Sequence, residues 1–137
     1  QPLPEADEVR DARSGLVWRR CAEGMTWKPG RCDGKAAVMP HPFAVARASE
    51  EAARSGKPWR LPTMKELSAI ASVTEADPAN GVAAIDPTAF PGTPPVRFWT
   101  SSSTGPHYFM VVGFKDADVG ENTRTLPAAV RLVRAGN

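Results

Sequence analysis

Ser101, Ser102 and Ser103 stand just ahead of His107, a spacing that a hairpin would close into a hydroxyl beside an imidazole. Nucleophilic catalysis needs that pair plus an acid that orients the base. No acid partner and no nucleophile elbow accompanies these serines, and both cysteines of the chain have another use. No catalytic residue is therefore assigned, and the chain is read as a non-enzyme.

Asp116-Ala117-Asp118-Val119-Gly120-Glu121-Asn122 alternates oxygen-bearing side chains with a glycine, as calcium loops do. It lacks the third alternating acid and the distant bidentate glutamate of an EF-hand, so it reads as a solvated polar turn. No C-x-x-C occurs, and His41 and His107 lie far from the cysteines in sequence. No metal site and no cofactor are assigned.

Cys21 and Cys32 are separated by a segment containing Gly24, Pro29 and Gly30, a composition that lets the chain turn back on itself. A local disulfide is expected, which would close a short loop and imply an oxidising compartment, the periplasm or the cell exterior. The competing reading is a pair of buried thiols in a cytosolic protein.

The set with the best chemistry for recognition is Arg97, Trp99, His107, Tyr108, Lys115, Asn122 and Arg124. Aromatic faces beside hydrogen-bond donors recognise sugars, sulfates or peptides by stacking and charge-assisted bonds. The competing reading makes Trp99 and Tyr108 core residues and leaves the basic groups merely solvated.

These residues must be carried by a single domain, because 137 residues is one domain's worth of chain. Fourteen prolines favour a loop-rich fold over a helical bundle. Seventeen basic against fifteen acidic side chains give a net charge of +2, with no run of five or six like charges. That is too little to argue for nucleic acid, which is not assigned as a partner; a modest preference for anionic partners is all it permits. No apolar run is long enough to span a bilayer. Gln1 to Glu5 do not form a signal peptide, and a first residue of Gln suits a chain from which a leader has been removed.

Residues 1–10 are polar and proline-bearing and read as a flexible arm, leaving 11–137 as the domain. Leu16 to Cys21 reads as a buried strand with Leu16 and Trp18 on one face, and Trp27 as a cover for the cysteine bridge. His41-Pro42 to Ser55 reads as a helix ended by Gly56, with Phe43, Ala46, Arg47 and Glu50 at helical spacing and a Glu50–Arg54 surface pair. Thr63 followed by Glu66 is a capping box, and Pro62 keeps the helix from starting earlier. That second helix is expected from Thr63 to about Val73, burying Met64, Leu67, Ile70 and Ala71.

From Asp77 to Pro95 the chain is irregular, with Ile85, Phe90 and Val82 spaced as anchors. Strands are expected at 96–102, 107–114 and 128–134, the last with Val130, Leu132 and Arg134 on one face. Two helices followed by a run of antiparallel strands make the fold class α+β.

In order along the chain stand Gly15-Leu16-Val17-Trp18-Arg19-Arg20-Cys21, Cys32-Asp33-Gly34, Trp59-Arg60-Leu61-Pro62-Thr63, Phe98-Trp99-Thr100-Ser101-Ser102 and Val130-Arg131-Leu132-Val133-Arg134. Together these blocks resemble the bacterial DUF1566 family, named also for the C-terminal domain of the Legionella collagen-like adhesin. The resemblance implies a C-type-lectin-like fold, two helices flanking antiparallel sheets with a long irregular loop region that carries ligands. It further implies an exported surface or periplasmic module, and in the adhesin such a domain is associated with sulfated glycosaminoglycans. Many members carry a cysteine where Leu132 stands, so a bridge through that position is absent. No calcium-dependent sugar motif of the E-P-N or W-N-D type occurs either.

Two function classes follow. One is an exported adhesin-like or envelope-associated module that binds a glycan or another anionic ligand. The other is a structural module that docks a protein partner in a pilus, secretion or envelope assembly.

Overall fold

A computed structural model describes residues 7–136, with two α-helices and three sheets in an α+β arrangement. Strands β1 (Glu8–Arg10), β2 (Val17–Arg19) and β10 (Val133–Arg134) form an antiparallel sheet that brings the two ends of the domain together. Residues 1–6 of the expected arm lie outside the described residues, but Glu8, Val9 and Arg10 pair with Arg19, Trp18 and Val17. They belong to the domain, because Val9 is an apolar side chain that the floor of this sheet buries.

Strands β3 (Thr26–Lys28) and β4 (Arg31–Asp33) make a hairpin in which Trp27 lies opposite Cys32. Cys21 and Cys32 are joined by a disulfide, with Cα atoms 5.6 Å apart. Trp27 is only half-buried and stacks under the Arg20 guanidinium at 4.4 Å.

The main sheet has the order β5 (Val38–Met39), β9 (Ala128–Ala129), β6 (Arg97–Gly105), β7 (Tyr108–Gly113) and β8 (Asp118–Thr123). Successive strand residues face opposite sides, and the core divides accordingly. Phe98, Val112 and Ala129 meet Leu67, Trp18 and Phe90 on one side. Trp99, Val111 and Ala128 meet Ala44, Ala48 and Trp59 on the other.

Helix α1 (His41–Ser55) covers the second side and ends on Gly56, whose φ of 73° is the left-handed cap that favours glycine. Its buried positions are His41, Ala44 and Ala48, while Phe43 points outward at 64% exposure. Small alanines let the helix lie close to the sheet, and the bulky Phe43 is left out. Arg54 pairs with Glu51 instead of Glu50.

Helix α2 (Met64–Ile70) starts at the expected box: Thr63 Oγ1 accepts the Glu66 N–H at 3.1 Å, and Glu66 Oε1 accepts the Thr63 N–H at 2.9 Å. It stops at Ile70, short of Val73, because Ala71 turns extended and bridges to Ile85. Of its expected stripe only Leu67 is fully buried.

The irregular stretch is pinned by Ile85 and Phe90, and by the Ala84 N–H donating to Phe114 O at 2.7 Å. Val82 is 41% exposed, so its side chain is not a buried anchor, and its backbone bridges only to the nearby Asp77 among the described residues.

The expected last strand is two strands in two sheets. Ala128 and Ala129 pair in the main sheet, residues 130–132 cross over, and Val133 and Arg134 join β2. Arg131 sits in the crossover and is fully buried. Its Nη1 donates to Arg19 O at 3.0 Å and Arg20 O at 2.7 Å, and its Nη2 donates to Thr93 Oγ1 at 2.7 Å. Burial without a bonded carboxylate lowers its pKa to about 9. Leu132 is buried in the second core cluster.

Trp59 lies between two guanidinium groups, Arg19 at 4.4 Å and Arg134 at 5.2 Å from the ring centroid. Arg134 is held by Glu8 at 2.6 Å, and Arg19 by Glu51 at 2.7 Å. The Trp59-Arg60-Leu61-Pro62-Thr63 block is thus a structural joint: Arg60 also bridges to Val133 and pairs with Glu66 at 2.8 Å.

Candidate ligand-binding site

The seven residues singled out for recognition do not form one surface. Trp99 is fully buried against α1, where its Nε1 donates to Met39 O at 2.7 Å and its ring meets His41 edge-on. It takes no part in a surface site, because its position in β6 faces the alanines of α1. His107, Tyr108 and Arg124 gather at the far end of the β7–β8 ribbon, where the Arg124 N–H donates to His107 O at 2.8 Å. Five residue steps along β7 separate Tyr108 from Gly113, roughly 17 Å of extended chain. Arg97 and Lys115 belong to the near end, and Asn122, opposite Phe109 toward the far end of β8, is what the Arg97 side chain reaches.

There the geometry is specific. Arg97 opens β6 opposite Gly113, and its side chain crosses β7 to reach β8. A Cβ added at Gly113 would meet Arg97 Cγ at 3.7 Å, and one added at Gly120 would meet Arg97 Nη2 at 3.2 Å. Neither glycine has a left-handed φ, so the backbone does not require glycine at either place. The missing side chains leave a trough that the Arg97 side chain occupies.

Asn122, buried at the end of that trough, accepts from Arg97 Nη1 at 2.7 Å. Arg97 remains exposed and makes no ion pair among the described residues. It is a positioned cation with unspent donors.

Beside it opens a cleft of about 250 Å³ lined by Pro95, Val96, Arg97, Gly113, Lys115, Asp116 and Asp118. Lys115 is exposed on the turn between β7 and β8. The expected polar turn at 116–122 is confined to 114–117, because Asp118 to Thr123 pair residue by residue with β7. Ala117 takes the tight corner at φ 65°, where L side chains are uncommon. Two cations and two carboxylates around one cleft suit a ligand that carries hydroxyl donors next to an anionic group. Among the described residues no cluster of three or more His, Cys, Asp or Glu could hold a metal ion.

The serines and His107 are not assembled. Ser102 Oγ accepts the Met64 N–H at 2.9 Å, and the Ser101 N–H donates to Pro62 O at 2.8 Å. Among the described residues no hydrogen bond joins any of the three serines to His107.

A second cleft of about 430 Å³ lies between the 10–13 turn, the end of α2 and residues 86–90. Its aromatic floor, Trp18 and Phe90, is buried edge to face and offers no open ring for stacking.

The family defined by the Lcl C-terminal domain matches residues 7–134. The chain belongs to that family. A comparison with curated proteins finds no match. In this Lcl C-terminal domain the family blocks fall on structural joints: the Trp59 sandwich, the α2 cap and the Arg131 crossover. The Arg97 trough lies outside most of them. The sequence reading missed Gly113, Gly120 and Asp118, and the available signal was two glycines inside otherwise regular strands, where a close approach is the usual reason.

Proposed function

We propose that this Lcl C-terminal domain is an exported, non-catalytic recognition module of C-type-lectin-like fold that binds an acidic glycan at the Arg97–Lys115 cleft. The observation that carries the reading is the Arg97 guanidinium, braced by Asn122 over Gly113 and Gly120 and still exposed. Its planar donors match a sulfate or carboxylate, Lys115 adds a second positive charge, and Asp116 and Asp118 accept from sugar hydroxyls.

Family membership supports an adhesin-like role. The Cys21–Cys32 disulfide supports an oxidising compartment. No described helix is long and apolar enough to cross a membrane, so any attachment to a surface runs through its ligand or through other segments.

Retention on immobilised heparin along a salt gradient tests the reading, since exposed charge contacts are screened by salt. Arg97→Ala and Lys115→Ala are expected to elute at lower salt than the wild type, and Arg124→Ala with it. An Arg97→Ala protein that elutes with the wild type contradicts the proposal.

A further inference from the structure

The main sheet ends on β8, and that edge is open. The Phe114 N–H donates to Val96 O at 3.1 Å, so the even-numbered residues of β7 bond toward β6 and the odd-numbered ones toward β8. Their partners on β8 are Asp118, Gly120 and Asn122. By the same alternation the backbones of Val119, Glu121 and Thr123 point away from the sheet. Thr123 O is taken by the Leu126 N–H at 3.1 Å. Among the described residues no other backbone bond reaches this row, and Val119 and Glu121 are exposed.

Proteins usually guard such an edge with a proline, a bulge, a lysine or a covering segment. Strand β8 has no proline and no lysine, and its register with β7 runs through six pairs without a shift. What it does carry is negative charge. Asp118 stands on one face and Glu121 on the other, with no cation in Asp118–Thr123. In the register centred on Glu121, antiparallel pairing with a second copy sets Glu121 against its own counterpart, and like charges directly opposite are destabilising.

We infer that the free edge of β8 accepts an extended, basic segment of a partner polypeptide as a sixth strand. Main-chain bonds to Val119 and Glu121 supply the pairing. A Lys or Arg side chain opposite Glu121 supplies the selection, and a β-branched side chain beside the exposed Val119 on the same face fills the remaining surface. The site differs from the Arg97 cleft in ligand charge and in the groups it uses, backbone instead of guanidinium.

The experiment is residue-resolved amide exchange on the intact domain with and without a short, end-blocked peptide alternating Lys with Val. Exchange at Val119 and Glu121 is expected to be fast in the free protein and to slow by about tenfold or more with saturating peptide. The counterpart with Glu in place of Lys, and the basic peptide N-methylated on alternate backbone nitrogens, are expected to give no protection. The Arg97→Ala variant is expected to keep the full effect, which separates this edge from the anion site. Absence of protection by the basic peptide, or equal protection by the acidic one, overturns the inference. Protection that appears without peptide as protein concentration rises assigns the edge to a second copy and overturns it as well.

Discussion

The amide oxygen of Asn122 lies 2.7 Å from Nη1 of Arg97, and it is the hydrogen bond that fixes the guanidinium over the two strand glycines. An arginine on a strand end ordinarily samples many rotamers, and ordering it on binding costs about 1 to 2 kcal/mol. Here the trough and Asn122 impose that order before any ligand arrives.

If the trough matters, closing it should weaken binding without unfolding the domain. In Gly120→Ala the new methyl stands 3.2 Å from Arg97 Nη2, a flexible side-chain end that can move aside. Stability is expected to change by less than about 1 kcal/mol, while heparin retention falls toward that of Arg97→Ala. Gly113→Ala, whose methyl would meet Asp118 O at 3.6 Å and Arg97 Cγ at 3.7 Å, ordinary contacts that leave the guanidinium in place, is expected to lower retention less than Gly120→Ala. Urea melts and salt-gradient elution of both variants check this.

Breaking the staple should cost more. The disulfide spans a sequence separation of 11, which on the chain-entropy account stabilises by about 3 kcal/mol. A Cys21→Ser, Cys32→Ser variant is expected to lose about that much in a urea titration, and addition of a reductant should no longer change its stability.

Arg131 is a buried cation held by carbonyls and an alcohol instead of a carboxylate. Replacing it with Met strands Arg19 O and Arg20 O, each worth about 1 to 3 kcal/mol when left unpaired. The expected loss is about 2 to 4 kcal/mol. Arg131→Lys should recover little of it, since one ammonium cannot reproduce the fork that spans both carbonyls and Thr93. Equilibrium unfolding of the two variants checks the ordering.

His41 is stacked 3.5 Å from the Phe109 ring, edge-on to Trp99, and bonded through Nε2 to Thr100 O at 2.9 Å. Burial pushes its pKa below the ordinary value, partly opposed by the Thr100 carbonyl. Its folded pKa lies below its unfolded value of about 6.5. Its contribution to stability is therefore complete above that pH and is lost as pH falls through the lowered folded value. Melting temperatures between neutral pH and pH 5 are expected to fall further for the wild type than for His41→Gln. Comparing the two cancels the carboxylates, such as Glu51, which Arg54 and Arg19 hold down at about 2.

Local chemistry made several elements readable in advance. Gly56 and the Thr63–Glu66 box mark helix ends because a left-handed cap and a reciprocal hydrogen bond need only neighbours in sequence. The Cys21–Cys32 bridge is equally local. What escaped depends on distant partners. Residues 128–134 alternate in the same way whether they serve one sheet or two, so the crossover at Arg131 leaves no trace in the pattern. Val9 reads as arm until Trp18 and Val133 are placed beside it.

The binding residues divide on the same line. Arg97 and Lys115 are donors of the right kind, but only the register of β6, β7 and β8 tells them from His107, Tyr108 and Arg124 at the other end, and only the reach of the Arg97 side chain along β8 joins Asn122 to them. In sequence Gly113 reads as a strand residue and Gly120 as part of a polar turn, and both prove to be the floor of the site.

The most direct test of the anion site is the side-chain Nε–H resonance of Arg97 in nitrogen-edited NMR, followed while a sulfated disaccharide is titrated into the intact domain. The account predicts a saturable shift at Arg97, lost in Asn122→Ala at the same ligand concentration, with Arg124 unmoved. A titration that shifts Arg124 and leaves Arg97 in place would contradict it.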